Sequence, residues 1–363
     1  MELKILFLQT NYPDFLDLFD KKIHNSKNLS YGELKERWAN EYFGSSNFYL
    51  KNLKPLGWSG DEIIINSKLL QTAWAKKHNI KYLSGDYILL RAIPPRIRYL
   101  LGLNRSEKDL FIKQVEYYKP DVVYIHDVTY FNANELSKIK KLANLVVGQI
   151  AYPLPLNKDV LKSYDLLISS FPHYIKMFRK MGIKSEYLRW CVEGSLVKSI
   201  GKHKRIYNVS YVGGLSPHHA TGNKILDRVQ KRIKLHIWGY GKTGIKRAWG
   251  KDMYTIFAKS KIVINRHIDI AKNYANNMRM FDATAMGALL ITDHKDNMEE
   301  FFEVGKEVIT YKDAHDLVNK IKYYLSHPDE RIKIAKAGQK RTLRDHTYEV
   351  RMKELDKILR KYI

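Results

Sequence analysis

The stretch KIVINRHIDIAKNYANNMRMFDATAMGALLIT, residues 261–292, combines the patterns of a strand, a loop, a helix and a second strand. The apolar runs KIVIN (261–265) and ALLIT (288–292) have the length of buried strands, whereas residues 277–287 repeat apolar side chains at helical spacing. A helix between two buried strands is typical of a βαβ unit, in which the two strands are parallel. This stretch therefore predicts an α/β fold built on a parallel sheet.

The same alternation of strand and helix patterns extends along the chain in two sets. The predicted strands are 3–8, 61–66, 121–126, 144–150 and 165–170 in the first set, and 207–213, 234–239, 261–265, 288–292 and 307–311 in the second. Two such sets predict two doubly wound domains that face each other across a cleft, with ligands at the carboxyl ends of the strands. We expect an N-terminal domain over residues 1–190, a linker over 191–206, a second domain over 207–345, and a C-terminal helix over 346–363 that crosses back.

The composition is that of a globular protein with room for two hydrophobic cores, since 363 residues are 45% hydrophobic. No segment approaches the roughly 20 apolar residues that cross a bilayer. The N-terminal run MELKILFLQT lacks a basic leader and a cleavage site, so we expect a first strand, no signal peptide and a cytoplasmic protein. The single cysteine, Cys191, excludes an intrachain disulfide framework, and we expect a buried, unreactive thiol.

The net charge of +25 is distributed along the whole chain. Two interpretations stay open: a solvated surface without a partner, or a surface that attracts an anionic membrane or a polyanionic acceptor. We do not expect nucleic acid as a partner. The segment PPRIRYLLGLNR (94–105) mixes basic and bulky apolar residues, which suits either contact with the inner face of the cell membrane or an ordinary connector.

Two glycine motifs follow predicted strands of the second domain. In YVGGLSPHH, Gly213 and Gly214 allow backbone amides to approach an anion, and Ser216 is placed to cap a following helix. In GYGKTG, the residues Gly239, Tyr240 and Gly241 begin a G-x-G-x-x-G spacing. No acid follows at the distance that dinucleotide binding requires, so we expect a turn where a ligand can approach the backbone. For both motifs an ordinary turn remains the alternative.

The loop and helix start of residues 265–279 carry cations and amides that suit an anion pocket, namely Arg266, His267, Asn276, Asn277, Met278 and Arg279. Asp282 falls on the apolar face of the predicted helix, where an unpaired carboxylate would be costly. It can pair with Arg279 three residues earlier, or it can bind the two adjacent hydroxyls of a ribose. The spacing alone does not decide between these two partners.

Three first-half side chains at predicted strand ends are candidate general bases. His126 and Asp127 follow the strand 121–126, and His173 follows the strand 165–170. A histidine or carboxylate at the edge of a cleft can take a proton from an acceptor hydroxyl. A purely structural role is the alternative for each residue.

Together these motifs resemble the CgeB-like bacterial glycosyltransferases. Residues 260–311 and the tail 337–355 resemble the nucleotide-sugar-binding half of that family, and VSYVGGLSPHH (209–219) resembles its glycine loop. Residues 48–78 and 120–131 are similar to the N-terminal halves of bacterial members. The resemblance thus covers most of the chain.

The resemblance implies a GT-B fold of two Rossmann-like domains and a metal-independent glycosyltransferase without a cofactor. The partners that it implies are a nucleotide-sugar donor and a glycan, lipid-linked or protein acceptor of the cell envelope. In related retaining families two acids serve the donor, and Asp282 matches the second of them, which binds ribose. Tyr274 stands at the first position and cannot replace a carboxylate, so the stereochemical outcome stays open.

Without a metal ion, helix dipoles and cations must stabilise the leaving diphosphate. An inverting reaction also needs a base, for which His126 and Asp127 are our first candidates, ahead of His173. Two other functions stay open at this point: a nucleotide-sugar epimerase or hydrolase on the same fold, and a non-enzymatic protein that binds polyanions.

Overall fold

The computed structural model describes residues 2–23, 29–82, 107–154, 158–275 and 277–363. The segment 94–105 and Asn276 lie outside the described residues. Residue contacts divide the chain into two units: Met1–Ser169 with Tyr174–Glu186 and Asp356–Ile363, and Ser170–His173 with Tyr187–Leu355. Each unit contains one sheet.

The strands, in chain order, are β1 (Leu3–Gln9), β2 (Trp58–Ile64), β3 (Val122–Ile125), β4 (Leu145–Gln149), β5 (Leu166–Ser169), β6 (Ser185–Tyr187), β7 (Tyr207–Gly214), β8 (His236–Tyr240), β9 (Ser260–Asn265), β10 (Leu289–Asp293) and β11 (Ile309–Tyr311). The helices are α1 (Pro13–Ile23), α2 (Tyr31–Ala39), α3 (Phe48–Leu53), α4 (Lys68–Lys77), α5 (Glu107–Tyr118), α6 (Ala133–Lys140), α7 (Pro172–Lys180), α8 (Leu196–Ile200), α9 (Ala220–Gln230), α10 (Gly250–Ala258), α11 (Met278–Ala285), α12 (Ala314–Ser326), α13 (Pro328–Asp345) and α14 (Tyr348–Tyr362). All ten predicted strands are present, and β6 is additional.

The two sheets have the same winding. The order is β2-β1-β3-β4-β5-β6 in the first unit and β11-β10-β9-β7-β8 in the second. In both sheets the first strand lies between the second and the third strand of its unit, which is the doubly wound arrangement. The chain reverses its direction of winding at that place, so a crevice opens between β1 and β3, and another between β7 and β9. The α/β fold predicted from the sequence is confirmed.

Burial of both sheet faces explains why the strands appear as continuous apolar runs. Every residue of β3, β4 and β5 is buried, as expected for parallel strands covered by helices on two sides. In the second unit, strands β7, β9 and β10 pack with α9 and α12 in one core that includes Val209, Leu226 and Leu317. The edge strand β8 is only half-buried.

Side-chain caps fix several helix starts. Ser30 and Asn132 form capping boxes with Glu33 and Glu135, and Asp313 accepts two backbone N–H groups at the start of α12. Each cap satisfies N–H groups that have no partner within the helix.

The last helix, α14, contributes to both units. Its residues as far as Leu355 group with the second unit, and Asp356–Ile363 group with the first. Within the first unit, Trp58 Nε1 donates to Asp356 Oδ1 at 2.7 Å, and Tyr362 Oη donates to Glu186 Oε1 at 2.7 Å. No helix among the described residues is long and apolar enough to cross a membrane.

Candidate active site

The glycine loop after β7 is shaped by two aromatic neighbours. A Cβ atom on Gly213 would lie 2.6 Å from Tyr211 Oη, and one on Gly214 would lie 2.8 Å from His219 Cε1. Tyr211 Oη donates a hydrogen bond to the Gly214 carbonyl at 3.1 Å. A side chain at either position would displace the ring of Tyr211 or His219, and the loop lies at the crevice between β7 and β9 where open sheets bind ligands.

Ser216 begins a single 3₁₀ turn, and the α-helix starts only at Ala220. The Ser216 hydroxyl lies 3.1 Å from His219 Nδ1 and makes no hydrogen bond to the backbone at the helix start. Burial, followed by the nearby Arg266, lowers the pKa of His219 to about 4, so this imidazole is neutral at physiological pH. The first-turn amide of Thr221 donates to Asp269 Oδ2 at 3.2 Å.

Arg266, the first residue after β9, links the strand ends. Its Nη2 donates to the Gly214 carbonyl at 2.7 Å and to Asn223 Oδ1 at 2.6 Å, while Nη1 donates to the His219 carbonyl at 3.2 Å. The residue is 3% exposed and forms no salt bridge with a carboxylate among the described residues. Since a buried charge without a counterion is costly, an anionic ligand beside the glycine loop would be stabilised there.

The second glycine motif lies against the first. A Cβ atom on Gly239 would lie 2.0 Å from the Gly213 carbonyl oxygen, and Gly241 has a φ of +89° next to the Ser216 backbone. Tyr240 accepts a hydrogen bond from the Leu215 amide at 2.7 Å, and its ring stacks on Trp249. Both motifs thus form one surface at the carboxyl ends of β7 and β8.

His267 is held by a carboxylate that the sequence analysis did not single out. Its Nδ1 lies 2.6 Å from Asp293 Oδ1 at the end of β10, and its amide donates to the same oxygen. Burial alone would raise the pKa of Asp293, but His267 and then Lys295 outweigh it and lower that pKa to about 2. The sequence feature that could have identified Asp293 was its position at the end of a predicted strand.

Asn277 joins the start of α11 to the loop after β9. Its Oδ1 accepts from the Arg279 amide at 2.8 Å, and its Nδ2 donates to the Arg266 carbonyl at 2.9 Å. Met278, the first residue of α11, is half-buried. The backbone amides at the start of α11 therefore lie at the same edge of the sheet as the two glycine motifs, namely the edge formed by the carboxyl ends of the strands.

Asp282 is buried and has two protein partners. Its Oδ1 accepts from Tyr254 Oη and its Oδ2 from Arg279 Nη1, both at 3.3 Å. Burial raises the pKa of Asp282 to about 6, against the opposing effects of Arg279 and Tyr254. The pairing with Arg279 that the spacing allowed is thus formed. Both hydrogen bonds are long, and an ionised carboxylate accepts about four hydrogen bonds, so further acceptor capacity is left.

Two of the candidate bases flank the crevice between β1 and β3 in the first unit. Burial lowers the pKa of His126 to about 3, and its Nε2 has no hydrogen-bond partner among the described residues. Asp127 accepts hydrogen bonds from Tyr152 Oη at 2.6 Å and from the hydroxyl and amide of Thr129 at 2.6 and 2.9 Å. A histidine with so low a pKa is a weak proton acceptor at neutral pH, whereas the carboxylate of Asp127 is oriented by its donors.

The third candidate, His173, groups with the second unit. Its ring stacks on Tyr274 with centroids 5.6 Å apart and an interplanar angle of 15°. Burial, followed by the charge of Lys272, lowers the pKa of His173. Tyr274, which stands where related families have an acid, therefore contributes a flat aromatic surface.

Among the predicted donor residues, Gly214 and Asn277 form hydrogen bonds with Arg266, and Gly239 packs against Gly213. Sequence reasoning did not find Gly222, Asn223, Tyr254 and Asp293, which hold Arg266, Asp282 and His267 in place. The described part of the chain contains no group of three His, Cys, Asp or Glu side chains arranged to hold a metal ion.

Comparison with known proteins identifies one matching sequence family and several solved structures with a similar fold. Residues 221–357 match the family described as glycosyl transferase-like. No curated protein matches the chain significantly in sequence. A glycosyltransferase from Rickettsia africae superposes with a TM-score of 0.56 at 13% identity, covering 99% of this chain and 98% of the other.

Two further solved structures extend over the same length. The Anabaena protein Alr3699/HepE, in complex with UDP and glucose, has a TM-score of 0.58 at 12% identity and covers 99% of this chain and 100% of its own. Sucrose-phosphate synthase from Thermosynechococcus elongatus has a TM-score of 0.56 at 9% identity, with 99% and 98% covered. The predicted GT-B fold is confirmed. The GT-B fold and the glycosyl transferase-like domain of residues 221–357 support glycosyltransferase activity.

Proposed function

We propose that the protein transfers a sugar from a nucleotide-sugar donor to a surface glycan, glycolipid or glycoprotein, as a CgeB-like glycosyltransferase on the cytoplasmic side of the cell envelope. The observation that carries the donor assignment is Arg266, a buried cation without a carboxylate partner in the described chain, directly beside the glycine loop. HepE, which shares the fold, is in complex with UDP and glucose. A nucleoside diphosphate is the kind of anion that such an arrangement favours.

The donor would lie across the carboxyl ends of β7, β8 and β9. Its diphosphate would meet the backbone of Gly213 and Gly214 and the start of α11, and Arg266 would add positive charge beneath that loop. These groups would stabilise the charge that develops on the leaving diphosphate, so the proposal needs no metal ion. Asp282 would accept hydrogen bonds from the ribose hydroxyls when it is ionised.

The acceptor hydroxyl loses a proton during transfer. In an inverting reaction, Asp127 is the stronger candidate base, because the pKa of His126 near 3 leaves little driving force for proton uptake. Tyr152 and Thr129 would hold the Asp127 carboxylate in one orientation. In a retaining reaction the leaving phosphate can take this proton, and Asp127 would then be dispensable.

A panel of UDP-, GDP-, ADP- and CDP-sugars tests the donor assignment by thermal shift. We expect one nucleotide to stabilise the wild-type protein and to lose this effect with Asp282→Ala. Asp252→Ala is the matched control, since Asp252 is an exposed acid on α10 outside the proposed site. Absence of stabilisation by every donor, or equal stabilisation of both variants, would contradict the proposal.

Product analysis with the stabilising donor separates transfer from the other activities. Release of free sugar without an acceptor would indicate a hydrolase, and a changed sugar still attached to the nucleotide would indicate an epimerase. Loss of donor accompanied by a glycosylated lipid, glycan or protein from cell-envelope extracts is the outcome that we expect. Replacement of Asp127 is expected to lower turnover if the reaction inverts, whereas a protein that only binds polyanions would show no turnover.

A further inference from the structure

The second unit contains a cavity at the end of its sheet opposite to the two glycine motifs. It has a volume of about 370 Å³ and is lined by Arg205, Lys261, Gly287, Arg331, Ile332, Ala335, Lys336 and Gln339. Arg205 precedes β7, Lys261 is the second residue of β9, and Gly287 precedes β10, so the cavity opens at the amino ends of these strands. A strand of six residues spans about 20 Å, which separates this cavity from the glycine loops at the carboxyl ends.

Four cations and no acid line this cavity. None of the four forms a salt bridge with a carboxylate among the described residues. Lys261 Nζ donates to Asn208 Oδ1 at 2.7 Å, and Arg331 Nη1 donates to the Tyr324 carbonyl at 2.6 Å. Arg205 donates to four carbonyls, including those of Phe257 and Gly287. The cavity therefore concentrates positive charge that no protein carboxylate neutralises.

The same cavity has an apolar wall. Ile332 is 45% exposed, and Ala335 lies about one helical turn further along α13. Gly287 leaves space between two polar lining residues, because a Cβ atom there would lie 3.0 Å from Arg205 Nη2 and 3.3 Å from Gln339 Nε2. An apolar wall beside a cluster of cations matches a ligand that has an anionic end and an apolar end.

We propose that this cavity binds a phosphate ester whose phosphoryl group contacts Lys261 and Lys336 and whose apolar part packs on Ile332. A phosphoryl group carries enough charge and acceptor oxygens for several cations, and the two arginines supply additional positive charge at short range. The volume lies within the range of about 300–1,000 Å³ that is common for small-ligand sites. The proposal does not depend on the donor site, because the two sites use different residues and opposite ends of the sheet.

The test compares two double variants that remove the same charge. Lys261→Gln with Lys336→Gln changes the cavity, whereas Lys322→Gln with Lys333→Gln removes two exposed lysines that do not line it. Calorimetry with inorganic phosphate and with pyrophosphate measures binding of a soluble phosphoryl group. Co-sedimentation with phosphatidylglycerol vesicles, against phosphatidylcholine vesicles, measures binding of a lipid phosphate. Thermal melting checks that all proteins are folded.

We expect the cavity variant to bind about 30-fold more weakly than the wild type, since each lysine near a phosphate contributes about fivefold. The control variant should bind within about twofold of the wild type. A selective loss in calorimetry alone identifies a soluble phosphate ester, and a selective loss on vesicles identifies a lipid headgroup. Equal binding by the two double variants, or no binding of any probe by the wild type, would overturn the proposal.

Discussion

The side chain of Arg266 occupies the space that a side chain at Gly222 would require. A Cβ atom on Gly222 would lie 2.3 Å from both Cδ and Nη1 of Arg266. The guanidinium donates hydrogen bonds to the Gly214 and His219 carbonyls and to Asn223 Oδ1. It therefore cannot move aside without breaking them. The glycine in the first turn of α9 therefore permits the cation beside the glycine loop.

Gly222→Ala is expected to displace Arg266, to lower the free energy of unfolding by about 1–3 kcal/mol, and to weaken nucleotide-sugar binding. Urea unfolding and donor titration measure the two effects. Gly32→Ala is the control, because a Cβ atom on this exposed glycine of α2 would meet nothing closer than 4.0 Å. Unchanged donor affinity in Gly222→Ala would mean that Arg266 does not support the site.

Donor affinity should depend on the ionisation of Asp282. Since its pKa is raised to about 6 by burial, the carboxylate would accept hydrogen bonds from the proposed ribose above pH 6 and would lose this ability as the pH falls below 6. We expect the dissociation constant to rise toward tenfold per pH unit below that point. Asp282→Asn should bind weakly with a flat pH profile in the same titration. A wild-type profile that is flat from pH 5 to 8 would contradict this role.

The same raised pKa has a consequence for stability. In the unfolded chain Asp282 would ionise near the ordinary value of about 4, and in the folded protein only near 6. The folded protein therefore keeps the Asp282 proton up to a higher pH than the unfolded chain does. The stabilisation that results from this difference is complete below pH 4 and is lost as the pH rises through 6. Chemical unfolding of wild type and Asp282→Asn between pH 4 and 7 should show this slope only in the wild type. Parallel pH profiles would count against the raised pKa.

Tyr254→Phe should move the pH midpoint of donor binding above 6. The tyrosine donates the hydrogen bond at 3.3 Å that helps to stabilise the ionised Asp282, so its removal leaves Arg279 as the stabilising partner. Donor titration across pH measures the midpoint. Tyr323→Phe on α12, where the ring is 45% exposed, is the control and should leave the midpoint unchanged. An unchanged midpoint in Tyr254→Phe would show that Tyr254 does not influence the ionisation of Asp282.

Asp127→Asn should reduce turnover by about 10²–10⁴-fold if the protein inverts the anomeric configuration. His126→Gln should keep the shape of the wild-type pH–rate profile, because the pKa of His126 near 3 keeps the imidazole neutral throughout the working range. Rates measured from pH 5 to 9, with the product configuration determined by NMR, test both expectations. Full activity of Asp127→Asn in an inverting reaction would exclude the carboxylate as the base.

How far the sequence predicts this fold is clearest in the strands. Buried parallel strands are continuous apolar runs, and all ten were therefore predictable. The start of β2 was not, because WSG looks like a turn although Trp58–Gly60 pair with Leu3–Ile5. A Cβ atom on Gly60 would lie 1.8 Å from the Ile5 carbonyl oxygen, so close approach of the backbones requires this glycine. The strand β6 has only three residues, too few to show a pattern.

The candidate site was predictable in position but not in detail. Strand ends and glycine pairs indicated loops that the structure places at the carboxyl ends of β7, β8 and β9, where open sheets bind ligands. Spacing does not set the direction of a long side chain, so the bonds from Arg266 to Gly214 and Asn223 could not be foreseen. The helix predicted to follow Ser216 begins instead with a 3₁₀ turn at Pro217–His219, and the Ser216 hydroxyl lies beside His219 without capping the helix start.

The division of α14 between the units has a practical consequence for protein engineering. The first unit is assembled from three separate stretches of polypeptide, the last of which is the final eight residues, Asp356–Ile363. No single cut can therefore release it intact, and a truncation at residue 190 would remove the partner of Trp58. An exchange of the second unit between proteins of this fold should instead transplant the internal stretch from Tyr187 to Leu355 together with Ser170–His173.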